Sequence, residues 1–585
     1  MEWSVRSQLI KQFKKSELQK GYNLQISTWI NRMFFAILLL IMYYFHTVKI
    51  SLASDPKGYL LILLHAHLPY IRYPEHKHHL EENWFYEAIT ETYIPLLKIF
   101  GRLISDNVEF RITLSLTPSL IEMFNDALLR SRYQKYLDRL IELSEKEMFR
   151  TRGDSNLFTN AKMYHDKFIE TKYFYAKVCN KDLTSAFRAL MNSGKVEIIT
   201  SAATHAYLPA LMIEPQAVRA QISLAAEHFR NNFGTKAKGL WLPECGFAPG
   251  IDQIIKDAGI DFFFLESHGL LNSIPKSSYS IYAPVRTPAG TIAFARDVDS
   301  AKQVWSSEEG YPGDFHYRDF YRDIGFDLDY DYMKPYLPGG LRTFTGIKYF
   351  RITGKADDKK PYKPGKAVKK AKKHAEHFLR NKTTQISSLN EKLQIKPLVF
   401  AAYDAELFGH WWYEGPEWLD FFLRKAAKAK GSFTLVSASE YISQNISGME
   451  IVTPASSSWG NKGYNSTWID ESNSWIYKHL RRASKLMVQI AGTNNKPKGL
   501  LKRALNQAVR ELLLAQASDW PFMMKTGNSS EFAKNKFKEH INNFFSLHNQ
   551  ITLNRINKEA LLSLEKKNAI FPDIDYRIYT DNKAE

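Results

Sequence analysis

The sequence predicts an α/β architecture, a parallel sheet or barrel with helices outside it, followed by a helical C-terminal domain. Three observations predict it. Short apolar runs recur, each ending in polar residues and followed by a helical stretch. Acidic residues and histidines collect where those runs end. After about residue 430 the beat stops, and the apolar spacing becomes helical in WIYKHLRRASKLMV and LNQAVRELLLAQA. At 585 residues the chain exceeds one ordinary core, so one large domain and one or two smaller units are expected.

Residues 1–57 read as an N-terminal extension. Within it, MFFAILLLIMYYFHTVKI (33–50) has an uncharged core of only 13 residues, Met33 to Phe45, where a spanning helix takes about 20. A mostly polar stretch of 32 residues precedes it and no clear small-residue cleavage site follows, which argues against a standard secretory leader. Contact of residues 33–50 with a membrane surface and packing on the main domain both stay open. Arg32 and Lys49 flank the stretch and suit lipid headgroups or water equally.

The regular pattern begins at Gly58. YLLILL (59–64) suits a strand buried on both faces and runs into HAHLPYIRYP. Residues 81–105 read as helix, 108–116 as the next strand, and 119–190 as mostly helix. VEIITSAATHAYLP (196–209) again passes from strand to polar loop, before a helix near 215–232 and the strand GLWLPE (239–244). The beat returns in IDFFFLE (260–266) and PLVFAAY (397–403). Polar residues at strand C-terminal ends gather around the active site of a parallel barrel. That makes His65, His67, His205, Glu244, Glu266 and Asp404 candidates. Residues 305–340, rich in Gly, Pro, Tyr and Asp, break the pattern as a lid-like insertion. The expected organisation is an extension (1–57), a barrel domain (58–430), a helical domain (431–550) and a C-terminal tail (551–585).

Composition narrows the function classes. With 44% hydrophobic and 14% aromatic residues the chain is a folded protein. Two cysteines make no disulfide scaffold, so a reducing, cytoplasmic setting is the default, with peripheral membrane association through residues 33–50 left open. Cys245 is expected to pack. The net charge of +18 invites a nucleic-acid reading, but 11 of those charges lie in residues 1–32 and in the lysine tract 355–373. Neither tract has a zinc-finger or RNA-binding motif, so no nucleic-acid partner is expected.

Two acids carry the chemistry. Glu244 (GLWLPECGF) and Asp404 (FAAYDAELFGHWW) both follow buried apolar runs, where an acid is costly unless solvated, paired or used. A salt bridge for Glu244 and a helix cap for Asp404 are the plainer alternatives. His65 and His67 share one face of an extended strand, but no HExxH or cysteine cluster supports a metal, so hydrogen bonding to a ligand or carboxylate is expected of them and of His205. Paired acids with many aromatics point to glycosidic chemistry, in which a retaining pair stands about 5–5.5 Å apart.

Six stretches in order, HAHLPYIRYPEH, VEIITSAATHAYLP, WLPECGF, FFLESHG, KQVWSSEEGYPGD and YDAELFGHWWYEGPEW, resemble glycoside hydrolase family 57, and most of all its members that branch α-1,4-glucans. The similarity runs from about Gly58 to about Gln550. It implies an incomplete (β/α)7 barrel with a C-terminal helical domain that helps close the site. It implies Glu244 as nucleophile and Asp404 as acid/base. His65, His67 and His205 match residues around the donor sugar. Trp305 and Tyr311 match the substrate-side KQVW tryptophan and the start of a loop that folds over the site. Trp459 and Trp468 match glucan-stacking residues, and Asp519 an acid reaching in from the helical domain. No cofactor and no metal are implied. The implied donor and acceptor are α-1,4-glucans, with transfer to a 6-hydroxyl; a retaining α-amylase or 4-α-glucanotransferase is the alternative. Residues 1–57 have no counterpart in this pattern, and nothing in it sets an oligomeric state.

Overall fold

Among the described residues, nine strands form one sheet: β1 (Tyr59–Ala66), β2 (Ile112–Leu116), β3 (Val196–Ser201), β4 (Gly239–Trp241), β5 (Phe262–Leu265), β6 (Val285–Arg286), β7 (Ile292–Ala295), β8 (Leu398–Asp404) and β9 (Thr434–Leu435). The structure is a computed structural model that describes residues 55–76, 79–306, 308–354, 359–429 and 431–580. The chain divides into Met1–Pro56 and Lys57–Glu585, and everything below concerns the second unit. Residues 33–50, with their expected membrane contact, lie outside the described residues. Among the described residues no helix is long and apolar enough to cross a membrane.

Seven of the strands run parallel in the order β7-β5-β4-β3-β2-β1-β8. The short β6 lies antiparallel on β7 at one edge, and β9 pairs with the start of β1. β7 and β8 are not paired as strands; the Asp297 N–H donates to the Phe400 carbonyl across the gap at 2.7 Å. This is the expected incomplete (β/α)7 barrel, with helices outside as the alternating sequence pattern requires.

Strand parity sorts the core into two. Tyr59, Leu61 and Leu63 face the barrel interior with Trp241, Phe262, Phe264, Phe294, Phe400 and Ala402. Leu60, Ile62 and Leu64 face outward beneath the helices. Successive side chains alternate across a strand, so the same parity carries His65 and Asp404 inward at the C-terminal ends of β1 and β8. The two are direct neighbours in the β1–β8 register.

The insertion beyond Tyr311 is an anchored layer. It contains only short helical turns and is fastened by buried charges. Arg318 pairs with Glu91 at 3.2 Å, and its N–H donates to Glu414 at 3.1 Å. The Asp323 carboxylate accepts from the N–H groups of Gly325, Thr345 and Gly346 and from the Thr345 hydroxyl. The later part of the lysine tract, from Pro364 onward, lies in the helix Pro364–Leu393.

The C-terminal helices Trp475–Thr493, Gly499–Ala515, Asp519–Thr526 and Ser530–Thr552 pack together. Residues 551–580, read from sequence only as a tail, are packed onto them. Buried Arg510 donates to the carbonyls of Ile570, Phe571 and Pro572 at 2.7–3.1 Å. Fully buried Glu511 accepts from Gln507, His540, Asn543 and Asn568. A buried acid is tolerated only with such a set of donors.

Gly409 lets the loop after β8 close against the outer helices. Its φ is +112°, and a Cβ there would lie 1.8 Å from the Glu91 carbonyl oxygen. Gly409→Ala should therefore lower stability by at least about 3 kcal/mol, read as a drop in the thermal and urea midpoints. Unchanged midpoints would refute this close approach.

Candidate active site

Glu244 is presented by a strained turn. β4 ends at Trp241, and Pro243–Cys245 make one tight helical turn in which Glu244 (φ 62°) and Cys245 (φ 51°) both adopt left-handed backbone. Such conformations cost about 1–3 kcal/mol in non-glycine residues and persist only where the surroundings impose them. Here the Cys245 side chain is locked into the barrel interior. The Phe247 N–H donates to Ser457 at 2.9 Å, and the Trp459 N–H donates to the Glu244 carbonyl at 3.0 Å. The Glu244 side chain, 15% exposed, thereby meets two donors. Trp459 Nε1–H donates to Oε2 at 2.6 Å, and the Ser518 hydroxyl lies 3.3 Å from Oε1.

A chain of hydrogen bonds leads away from that carboxylate. Ser518 Oγ is 2.9 Å from His205 Nδ1, His205 Nε2 is 3.0 Å from His65 Nε2, and His65 Nδ1 is 3.1 Å from Ser115 Oγ. An ionised Glu244 only accepts, and this sets every proton in the chain. Ser518 donates to Glu244 and accepts from His205 Nδ1–H. His205 Nε2 accepts from His65 Nε2–H, and His65 Nδ1 accepts from the Ser115 hydroxyl. Each imidazole then carries one proton. Burial, with the neighbouring charge of His67, holds His65 and His205 well below the usual histidine range, which agrees with neutral rings.

His67 is the opposite case. Burial alone lowers its pKa, but the Asp519 carboxylate, 3.1 Å from Nε2, outweighs this and raises it. Its Nδ1 faces Thr117 Oγ1 at 3.2 Å, so a charged ring has an acceptor on each side. The ring stacks on His205 at 3.8 Å. Among the described residues, no group of three His, Cys, Asp or Glu side chains is disposed to hold a metal.

Asp404 ends β8 beside His65. Burial raises its pKa to about 6, against the lowering effect of Arg296 and His67. Burial raises Glu244 to about 7, with Trp459 opposing and Asp404 reinforcing the shift. A third carboxyl, Glu406, is lifted to about 8 by burial; it accepts from the Tyr93 hydroxyl and from the His67 N–H at 3.2 Å. Arg296 is held by Glu266 at 2.6 Å and lies 5.2 Å from the Trp459 ring centre. Glu266 is thus an ion-pair partner of Arg296 and caps the helix Ser267–Leu271.

The structure brings His65, His67, His205, Glu244, Trp459 and Asp519 into one connected network, with Asp404 in register beside His65. Three residues expected from resemblance sit differently. Trp468 is fully buried and stacks on Tyr207 at 4.6 Å, so it backs that ring and has no open face for a sugar. Tyr311 is buried too; its hydroxyl bonds Gln303 and His377, and its ring stacks on His374. Trp305 is 60% exposed at the end of the helix Val298–Trp305, outside the hydrogen-bonded network. The sequence reading passed over Ser115, Arg296 and Ser518. Serines carry no pattern, and Arg296 follows β7, a four-residue strand too short to stand out.

Comparison with known proteins accords with this geometry. The profile described as glycosyl hydrolase family 57 matches residues 61–454, and one described as 1,4-alpha-glucan branching enzyme, C-terminal, matches residues 479–579. The 1,4-alpha-glucan branching enzyme TK1436 of Thermococcus kodakarensis is 34% identical over 85% of this chain and 74% of its own length. The solved alpha-amylase AmyC from Thermotoga maritima is 40% identical, with a TM-score of 0.83 over 89% of this chain and 99% of that one. The branching enzyme structure from Pyrococcus horikoshii is 32% identical, with a TM-score of 0.81 over 90% and 98%. Barrel, carboxylate site and C-terminal helices all fall within these matches, and the chain belongs to glycosyl hydrolase family 57.

Proposed function

We propose that this chain is a retaining α-1,4-glucan branching enzyme, with Glu244 as nucleophile and Asp404 as acid/base. The observation that carries the role assignment is the contrast between the two acids. Glu244 is aimed by two donors that favour its charged form, whereas Asp404 ends β8 at the barrel mouth. In the first displacement a Glu244 oxygen attacks the anomeric carbon, the C1–O4 bond breaks, and Asp404 gives its proton to O4 of the leaving chain. In the second, the 6-hydroxyl of an acceptor glucan attacks C1 and gives its proton to Asp404. The ester to Glu244 breaks, and an α-1,6 link forms with retention. The neutral His65–His205–Ser518 chain holds the nucleophile without adding a charge, and the Asp519–His67 pair places a cation beside both acids.

The branching-type C-terminal match supports transfer over hydrolysis, because the helical unit it covers supplies Ser518 and Asp519 to the site. The 40% identity to an alpha-amylase keeps hydrolysis as the second reading. Incubation with amylose, followed by debranching and chain-length analysis, separates them. New α-1,6 links without a rise in reducing ends are expected; reducing ends alone would establish the amylase reading.

Glu244→Gln and Asp404→Asn should each lower activity on amylose by at least about a thousandfold. Full activity in either variant would remove that residue from the mechanism. Glu244 also carries a stability signature. Its folded pKa is raised, so its contribution is complete below the ordinary glutamate pKa and is lost as pH rises through about 7. Glu244→Gln should therefore raise stability at pH 8, by up to about 3 kcal/mol, with no gain at pH 4. Equal gains at both pH values would contradict this.

The pair needs one proton, so kcat/KM should peak between about pH 6 and about pH 7. It should fall below that window as a second proton joins the pair and above it as the last one leaves. Ser518→Ala removes a donor to ionised Glu244 and should raise its pKa further, which moves the alkaline limb upward and leaves the acid limb in place. An unmoved alkaline limb would show that Ser518 does not act on Glu244.

A further inference from the structure

We propose that Trp411, backed by Phe320 and flanked by Tyr321, is a stacking platform for an α-glucan chain on the Asp404 side of the cleft. The platform deepens the branching reading and rests on it. Trp411 lies on the loop that follows Asp404, and its N–H donates to the Glu406 carbonyl at 3.1 Å. Its ring is 55% exposed, yet one face is packed against Phe320 at 4.7 Å and 27°. The Tyr321 ring is 76% exposed and stands edge-on to Phe320 at 5.2 Å.

Single exposed aromatics need no explanation, since much of any protein surface is apolar. These rings differ in being adjacent and held from behind. The Lys348 ammonium lies 4.1 Å from the Phe320 ring centre and donates to the Phe320 carbonyl. On the Trp411 side, His410 Nδ1 is 2.8 Å from Glu91, which also pairs with Arg318 two residues before Phe320. One buried acid therefore fastens the acid/base loop and the insertion together and fixes Trp411 against Phe320. Rigid flat rings lose little entropy when a ligand stacks on them.

The occupant follows from continuity with the cleft. The chain protonated by Asp404 leaves on the acid's own side, and the acceptor replaces it there. A glucan presents apolar sugar faces at regular spacing to a flat ring. Trp411 and Tyr321 come from two segments and offer rings to successive parts of such a chain. The platform extends the site beyond the reacting sugars and favours long chains over short ones.

Binding can be measured without turnover in the full chain carrying Glu244→Gln. Adding Trp411→Ala should weaken maltoheptaose binding about tenfold by calorimetry, adding Tyr321→Ala should weaken it severalfold, and Trp411→Phe should restore most of the loss. Maltotriose, bound at the reacting sugars, should change less than twofold. In the active enzyme, Trp411→Ala should raise KM for amylose about tenfold. If Trp411→Ala lowers the thermal midpoint, Tyr321→Ala, which removes a mostly exposed ring, carries the test. Maltoheptaose affinity within twofold of the parent in both alanine variants would overturn the platform. A wild-type enzyme that makes new α-1,6 links while those affinities stay unchanged would overturn it alone; a wild type that makes none would overturn the branching reading itself.

Discussion

The period-two register of β1 against β2 and β8 is the constraint on which the rest of the site depends. It pairs His65 with Ser115 on one side and with Asp404 on the other. A slip of one residue would turn His65 and Asp404 outward among the helices and put leucines at the barrel mouth. The slip is prevented by the two cores, since Leu61 and Leu63 fill the interior while Leu60, Ile62 and Leu64 fill the outer layer. The same packing that stabilises the barrel therefore positions an acid and an imidazole side by side.

Charge in this mouth is handled by contrast. His65 and His205 are kept neutral by burial, while His67, stacked on His205, is raised by Asp519. Three carboxyls, Glu244, Asp404 and Glu406, are lifted above their ordinary range because little water reaches them. A lifted acid is a proton donor near neutral pH, and a lifted acid with two hydrogen-bond donors still presents its anion in a fixed direction. The strained backbone at Glu244 and Cys245 is the local cost, sustained by the burial of Cys245 and by the hydrogen bonds to Ser457 and Trp459.

Distant segments complete the site. The C-terminal helical unit brings Ser518 and Asp519 against histidines more than 300 residues earlier. The insertion brings Arg318 to Glu91, and Glu91 in turn holds His410 on the acid/base loop. Barrel, insertion and helical unit thus share hydrogen bonds around one mouth.

The strands β1, β3, β5 and β8 and the long helices were legible because their apolar runs are long or regular, and the ordered motifs made Glu244 and Asp404 stand out. β6, β7 and β9, of two to four residues each, were not legible; neither was Arg296, which depends on recognising β7. Ser115 and Ser518 were invisible because a hydroxyl matters only through what faces it. Trp468 and Tyr311 were expected on the substrate side of the site, yet both are buried against other rings, since a motif records residue type and not exposure. The sequence by itself determined the alternating barrel and the two candidate acids, because these follow from local period and from short ordered motifs. Only the tertiary structure decided which donors meet Glu244, which histidines are neutral and which aromatics keep an open face, because each of these depends on groups brought together from far apart in the chain.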